Sequence, residues 1–515
     1  MKSKVFDSVQ GLNPGRSVFN LSYAKKFSGV MGNLYPVMFD EVVPGDVFDL
    51  GAEAVIRFAP MVAPVLHEIV LKADWFFVPY RILSTSDPAD VAGPTSWERF
   101  ITGGEAGLDA TVISRLSYAA PAEGSLYDHL GFPPGLTLTA NDRPVYFPIY
   151  AYNLIYNAYF RDPNAEAMRA AGALSMAQAN WDADYFTRAL PWQQRGTQPA
   201  LPVSGNTSAV YTAAMVDVTP VGVSTIGLNN GVTNNKIQVD NAQSRTNLLG
   251  ALNANTVSLA SATSVNIADL RLAVQLQRWM ERNSRSGYRY TEFLRSHFGV
   301  APRDERLDRP EYIGGIRQPI VVSEVLQTSV TAATPQGNMA GHGILAGRHN
   351  VGRYHVKEYG MIMALMSVVP RPAYQQGINR QWTRVSRYEY YHPEFANLSE
   401  QAILNKEIYA DNTAAGTNEV IWGYQGRYDE MRWKPDIVSG AFRTSLNYWH
   451  LGRIFGALPA LNATFGHVDP ATITRVFAAP GSDHLYVHWG NHIKAIRPLP
   501  PTSNPGRLDH TYGGF

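Results

Sequence analysis

The sequence predicts a mainly β fold: a β-sandwich whose connections have grown far beyond sandwich size. Strand signals gather near the two ends of the 515-residue chain, while the clearest helical patterns sit in its middle. Organisation follows from a third observation. Residues 197–262 carry only four charged side chains, Asp217, Lys236, Asp240 and Arg245, whereas both flanks are dense in arginine and aromatic residues. A sandwich needs roughly 100–200 residues, so more than half of this chain is elaboration. That proportion is unusual for an enzyme and common in a shell-building subunit.

The strand readings rest on alternation and on proline. Phe19, Leu21 and Tyr23 alternate with polar residues, the period of a half-buried strand. The run 69–78 (IVLKADWFFV) ends at Pro79 and the run 360–369 (GMIMALMSVV) at Pro370. Proline removes a ladder donor and so suits a strand leaving its sheet. The second run is apolar throughout and reads as a buried strand. Leu485, Val487 and Trp489 alternate with His484, Tyr486 and His488, and 493–498 reads as a separate last strand.

Two helices are expected between these ends. Tyr152, Ile155, Tyr156 and Tyr159 follow i, i+3, i+4, i+7 spacing and stop at Asp162 and Pro163. From Asp269 to about Arg285, a second helix places Leu272, Leu276, Trp279 and Met280 on one side. Asp269 is its N-cap or first-turn acid, and Gly287 its stop. Within the neutral stretch, Val221, Val223 and Ile226 lead to Asn229-Asn230-Gly231, followed by Ile237 and Val239. Asn-Gly between β-rich runs predicts a hairpin. Inserts of this size usually lie at a surface and carry function or assembly contacts.

Composition narrows the class. Apolar residues at 45% exclude wholesale disorder. Charged residues reach only 17%, against roughly 25% in ordinary soluble domains, which fits a protein that hides surface in subunit contacts. A net charge of +1 gives no global nucleic-acid signature. The absence of cysteine removes disulfides and thiolate metal sites. No signal-like segment opens the sequence and no apolar run is long enough to span a bilayer, so a soluble protein without membrane partners is expected.

Catalytic patterns are missing. There is no P-loop, GxSxG, HExxH or EF-hand loop. Gly341-His342-Gly343 with Gly347 puts the last glycine one residue late for a dinucleotide loop. His484, His488 and His492 suggest a metal ladder. Yet four residues of strand span roughly 13 Å, whereas a shared metal needs each nitrogen about 2 Å away. They read as strand histidines at a surface or interface. Asp182 with Asp184 and Glu389 with Glu394 pair carboxylates, but nothing sets them across a cleft. No catalytic residue, metal ligand or cofactor is expected.

Two basic features stand above background. Arg271, Arg278, Arg282, Arg285 and Arg289 fall in a narrow stripe opposite the apolar side of the second helix. The stripe is either a solvated, salt-bridged face or a contact for phosphate or an acidic subunit surface. Residues 423–435 (GYQGRYDEMRWKP) interleave Tyr424, Tyr428 and Trp433 with Arg427, Arg432 and Lys434. Stacking platforms mixed with cations suit single-stranded nucleic acid, although Asp429 and Glu430 oppose it and core or interface packing is the alternative. The DNA-contact candidates are therefore Arg427, Arg432, Lys434, Tyr428 and Trp433, then Arg278, Arg282 and Arg285. The first group is expected to face inward in preference to the second.

A succession of motifs gives a sharper reading. They are EVVPGD (41–46), WFFVPYR (75–81), YNLIYNAYFRDPN (152–164), DYFTRALPWQQRG (184–196), the block 276–315 and TPQGN (334–338). YQQGINRQW (374–382), NKEIY (405–409), 423–435, NYWHL (447–451) and the tail 498–510 follow in order. Together they resemble the major capsid protein of Microviridae phages of the gokushovirus type. The resemblance implies a single eight-stranded jelly-roll β-barrel with large insertions. It divides the chain into 1–196 (first part of the jelly roll), 197–262 (a variable insertion forming a three-fold protrusion) and 263–515 (remaining insertions and last strands).

It further implies a shell of sixty copies with T=1 symmetry around a circular single-stranded DNA genome, assembled in the bacterial cytoplasm and found in the virion. Implied partners are other copies of the chain, the DNA, a small basic packaging protein, a pilot or minor capsid protein, and a host-surface receptor such as a glycan. Tyr211, Asn229, Asn230, Asn234 and Asn235 are the protrusion candidates for attachment. Sixty subunits at +1 each supply a small fraction of what thousands of genome phosphates require, so local patches or basic partners must do most of the neutralising. A β-sandwich carbohydrate-binding protein or glycosidase is the alternative.

Overall fold

The alternation read in the terminal segments becomes one curled antiparallel sheet in the computed structural model. The structure describes residues 15–84, 97–102, 113–197, 267–286, 289–329, 336–412 and 417–502, with short elements between 206 and 258. The sheet strands are β1 (Ser17–Asn20), β2 (Tyr23–Gly29), β3 (Tyr35–Val42), β4 (Val47–Phe58) and β5 (Ile69–Pro79). After the insertions come β6 (Glu311–Leu326), β7 (Met339–His355), β8 (Gly360–Pro370) and β9 (Leu485–Arg497).

Neighbours run β2-β9-β4-β7-β6-β5-β8-β3, with β1 extending the β2 edge along β9. Each half of four strands takes members from both ends of the sequence, and the long β6–β7 pair joins the halves. This is jelly-roll topology, eight strands wound as two Greek keys. The predicted separate strand at 493–498 does not exist. Ile493 to Arg497 continue β9, since Ile493 and Ala495 stay on the buried side that Leu485, Val487 and Trp489 began.

The inner faces of both halves share one core. Phe48, Leu50, Ala52, Ala54, Ile56 and Phe58 line it from β4, and the rings of Trp75 (β5) and Trp489 (β9) meet at 6.1 Å. The outer faces differ. Beyond β5 and β8 lies a second apolar layer, in which Phe76, Val78, Met361, Met363 and Leu365 pack with Ile149, Tyr150, Tyr152, Ile155 and Tyr156. Most of those partners sit on helix α1 (Phe147–Ile155), apolar nearly all round and buried accordingly. A π-helical turn, Tyr156–Phe160, carries α1 to Arg161, just ahead of the predicted stop. Hence β8 is buried at every residue. Among the described residues no such layer covers β4 and β9, whose burial alternates strictly along most of their length.

The glycine pattern of 341–347 lies inside β7, not in a nucleotide loop. A Cβ on Gly341 would stand 2.4 Å from the carbonyl oxygen of Ala63, and one on Gly343 would stand 2.3 Å from the Phe58 ring. Close packing across the sheet requires glycine there.

The chain divides into two compact units, Gln194–Ser284 and the remainder. The smaller unit therefore takes in a helix as well as the neutral stretch. Within it Asn206–Ser208 pairs with Thr256–Ser258, and Ile237–Val239 pairs with both Val216–Val218 and Gly227–Leu228. Gly227–Leu228 pairs antiparallel with Ile237–Val239, while Val221, Val223, Ile226 and the Asn229-Asn230-Gly231 turn of the predicted hairpin lie outside the described residues. Helix α2 (Ala242–Asn253) precedes α3 (Ile267–Ser286), the predicted Asp269 helix begun slightly earlier. In α3, Met280 is buried as expected, but Leu272, Leu276 and Trp279 are exposed. Its apolar side is not covered as a core helix would be.

Candidate nucleic-acid interface

The patch at 423–435 is built on a hairpin of Glu400–Leu404 with Ile421–Gly426, which ends in the short helix Asp429–Arg432. Tyr428 links strand to helix in the left-handed region, with φ of 63°. Its side chain is only 3% exposed, and its hydroxyl donates to the Tyr390 carbonyl at 3.0 Å. As a stacking platform Tyr428 is therefore unavailable; it anchors the loop that crosses it.

The cations beside it are largely occupied. Arg432 pairs with Asp429 and donates to the Arg427 carbonyl at 3.1 Å. Arg427 donates to the Tyr388 carbonyl at 3.0 Å, and Lys434 to Gln381 Oε1 at 3.1 Å. Trp433 is partly exposed and carries the Arg188 guanidinium 4.2 Å over its ring. The carboxylates thus matter as expected, most of all Asp429.

A neighbouring segment that sequence reading had missed joins this surface. Residues 378–398 bring exposed Trp382, Tyr388, Tyr390 and Tyr391 beside the patch, with Val385 at 93% exposure. Tyr391 meets Tyr428 at 5.1 Å between ring centres. The density of arginine and aromatics in 380–392 was the available signal. Beneath the surface the charges are paired: Arg384 with Glu430, both nearly buried, and Arg380 with Glu407 at 2.9 Å. Burial raises the Glu407 carboxyl while Arg380 pulls it down. Few cations are left over, so the surface is mainly apolar and aromatic.

The arginine stripe breaks up as well. Arg278 and Arg282 are exposed on α3. Arg285 ion-pairs with Glu400, whose side chain is 1% exposed. Arg289 lies outside the stripe, because it caps the next helix, α4 (Tyr290–Phe298), and donates to Glu292 at 3.1 Å and to the Arg161 carbonyl at 2.6 Å. The protrusion candidates Tyr211, Asn229, Asn230, Asn234 and Asn235 lie outside the described residues.

The histidines separate by face. His484 is buried against Phe477, accepts the Met31 N–H at 2.9 Å on Nε2, and is held below the usual imidazole range by that burial. This corrects its reading as a surface residue. His488 is exposed, and His492 lies 3.1 Å from a Glu53 oxygen. Among the described residues no three His, Asp or Glu side chains gather as a metal site.

Jelly-roll order, large insertions and an aromatic surface describe a building block. Residues 7–507 match the sequence family described as capsid protein (F protein). The chain belongs to that phage capsid family. It is 34% identical to capsid protein VP1 of Bdellovibrio phage phiMH2K, over 99% of this chain and 98% of the relative. Capsid protein VP1 of Chlamydia phage 1 is 32% identical over 98% of both chains, and that of Spiroplasma virus 4 is 29% identical over 97% of both. These matches bear out the resemblance to gokushovirus-type Microviridae, and the chain is a structural protein of the virion. The glycosidase alternative falls with that membership.

Proposed function

We propose that this chain is the major subunit of a T=1 shell, sixty copies enclosing a circular single-stranded DNA genome and assembled in the bacterial cytoplasm. One observation supports this most: the capsid-family match runs from residue 7 to 507, through both ends of the jelly roll and every insertion. A small basic packaging protein supplies charge that a +1 subunit lacks, and a pilot or minor capsid protein completes the particle. Residues 197–262, within the unit Gln194–Ser284, form a protrusion at the three-fold axes, where their low charge suits packing against symmetry copies of themselves. Its tip is the site for a host receptor such as a glycan. Arg427, Arg432 and Lys434 are already bonded within the chain, so Arg278 and Arg282, with Trp433, are the sequence candidates left for DNA contact.

Electron microscopy of the purified chain tests the shell reading. Closed particles of one size are expected; persistent monomers under assembly conditions sink it. Deleting 216–240 tests the protrusion. Intact particles that adsorb poorly to host cells assign it to attachment, whereas failed assembly assigns it to the three-fold contact.

A further inference from the structure

The uncovered face of the β2-β9-β4-β7 half assembles charges that no window of sequence shows together. Register places Lys26 opposite His488, and Ser28 opposite Tyr486, which in turn faces Arg57. Gly490 faces Glu53, which faces Arg348; Lys494 faces Asp49, which faces Arg353. Five fixed cations on this face thus meet two strand carboxylates, with a third, Asp483, held on Ser28 at the rim, and all three carboxylates are engaged. Asp49 accepts from Arg353 at 2.5 Å, which holds its carboxyl below the usual range, and Glu53 lies 3.1 Å from His492.

Lys26, Arg57, Arg348 and Lys494 are left without a hydrogen-bond or ion-pair partner among the described residues. With strands about 4.8 Å apart and alternate residues about 6.6 Å apart, successive cations stand roughly 12–16 Å from one another, the span of a few nucleotides. A polyanion therefore meets them together. Tyr486 stands 48% exposed among them, a ring on which a base can stack. Toward one end the face sinks into an open basin of about 460 Å³, rimmed by Arg348, Asn350, His492 and Lys494, with Asp49 on its wall. Gly51 leaves its floor without a side chain.

We propose that this sheet face seats the phosphate backbone of single-stranded nucleic acid, with the basin between Arg348 and Lys494 as its deepest seat. The proposal rests on the reading that the shell encloses single-stranded DNA, and it assigns the contact to a surface other than 423–435. There the cations are matched by Asp429 and by carbonyls; here four are unmatched. Neutral packing beneath and excess cationic charge suit a flexible polyanion better than another copy of a nearly neutral chain.

The test uses the full chain and a labelled oligothymidylate, with affinity followed across a salt series. For single strands, log K falls with log salt by about 0.7 per neutralised phosphate. The variant Lys26→Gln/Arg57→Gln/Arg348→Gln/Lys494→Gln should flatten that slope by about 2–3, with an unchanged melting profile. Arg432→Gln/Lys434→Gln should leave the slope as it is. An unchanged slope in the first variant, a flattened slope in the second, or no binding by the parent chain overturns the proposal. Particle formation is scored separately by microscopy. Particles without the expected slope change sink this surface alone; the slope change without particles sinks the shell reading alone.

Discussion

The two halves of the sheet share one interior and differ on their outer faces. The β5 and β8 half is sealed by α1 and the tyrosines around it, so every residue of β8 is buried. The β4 and β9 half carries alternating exposed positions, and charged or polar groups occupy most of them. The difference teaches that strand burial here is set by which insertions fold back, since the inner face is apolar in both halves. An insertion laid across a sheet turns a one-sided strand into a two-sided one.

Substitutions should expose the contrast. Phe76→Ala removes a ring whose centre lies 4.8 Å from Tyr159 in the covered layer, and should cost about 3–5 kcal/mol, read as a fall in denaturant midpoint. An unaltered midpoint would mean the layer is not packed on the sheet. Within the shared interior, the two tryptophans should differ. Trp489 Nε1 donates to Asn491 Oδ1 at 2.9 Å, while Trp75 Nε1 has no partner among the described residues. Trp489→Phe should therefore cost about 1 kcal/mol more than Trp75→Phe; equal costs would refute the bond's contribution.

Acid should act more gently. Burial pushes the His129 imidazole down to about 4, so between about 4 and 6.5 the unfolded chain binds the extra proton. Stability then rises with pH across that window and is lost as pH falls through it. His129→Gln should flatten the dependence of melting temperature on pH between 7 and 4.5; an equally steep dependence would assign the acid lability elsewhere. Least of all, Arg57→Gln on the bare face should move stability by under about 0.5 kcal/mol, while still weakening oligonucleotide binding.

Much of the scaffold was legible because proline and periodicity marked it. Pro79 and Pro370 close β5 and β8 as read, and the tyrosine spacing located α1. The longest strands were not legible. β6 and β7 contain Gly314, Gly315, Pro319, Gly341, Gly343, Gly347 and Gly352, residues that signal turns locally and are held in strands by tertiary pairing. The site was harder still. Sequence proximity singled out 423–435, where alternating charge made neighbours neutralise one another. It could not see Lys26, Arg57, Arg348 and Lys494, which meet only through register.

One more consequence follows from the place of β9. It lies between β2 and β4, so two strands made early wait for one made among the last. During synthesis the apolar faces of Phe48, Leu50 and Ile56 stay without their partner until Leu485–Arg497 leaves the ribosome. Long-range closure of this kind is slow and leaves sticky strand edges open. Chains still being made therefore lack the strand that joins β2 to β4. The yield of folded subunits is then limited by how well those open edges are shielded, as well as by how fast the chain is made.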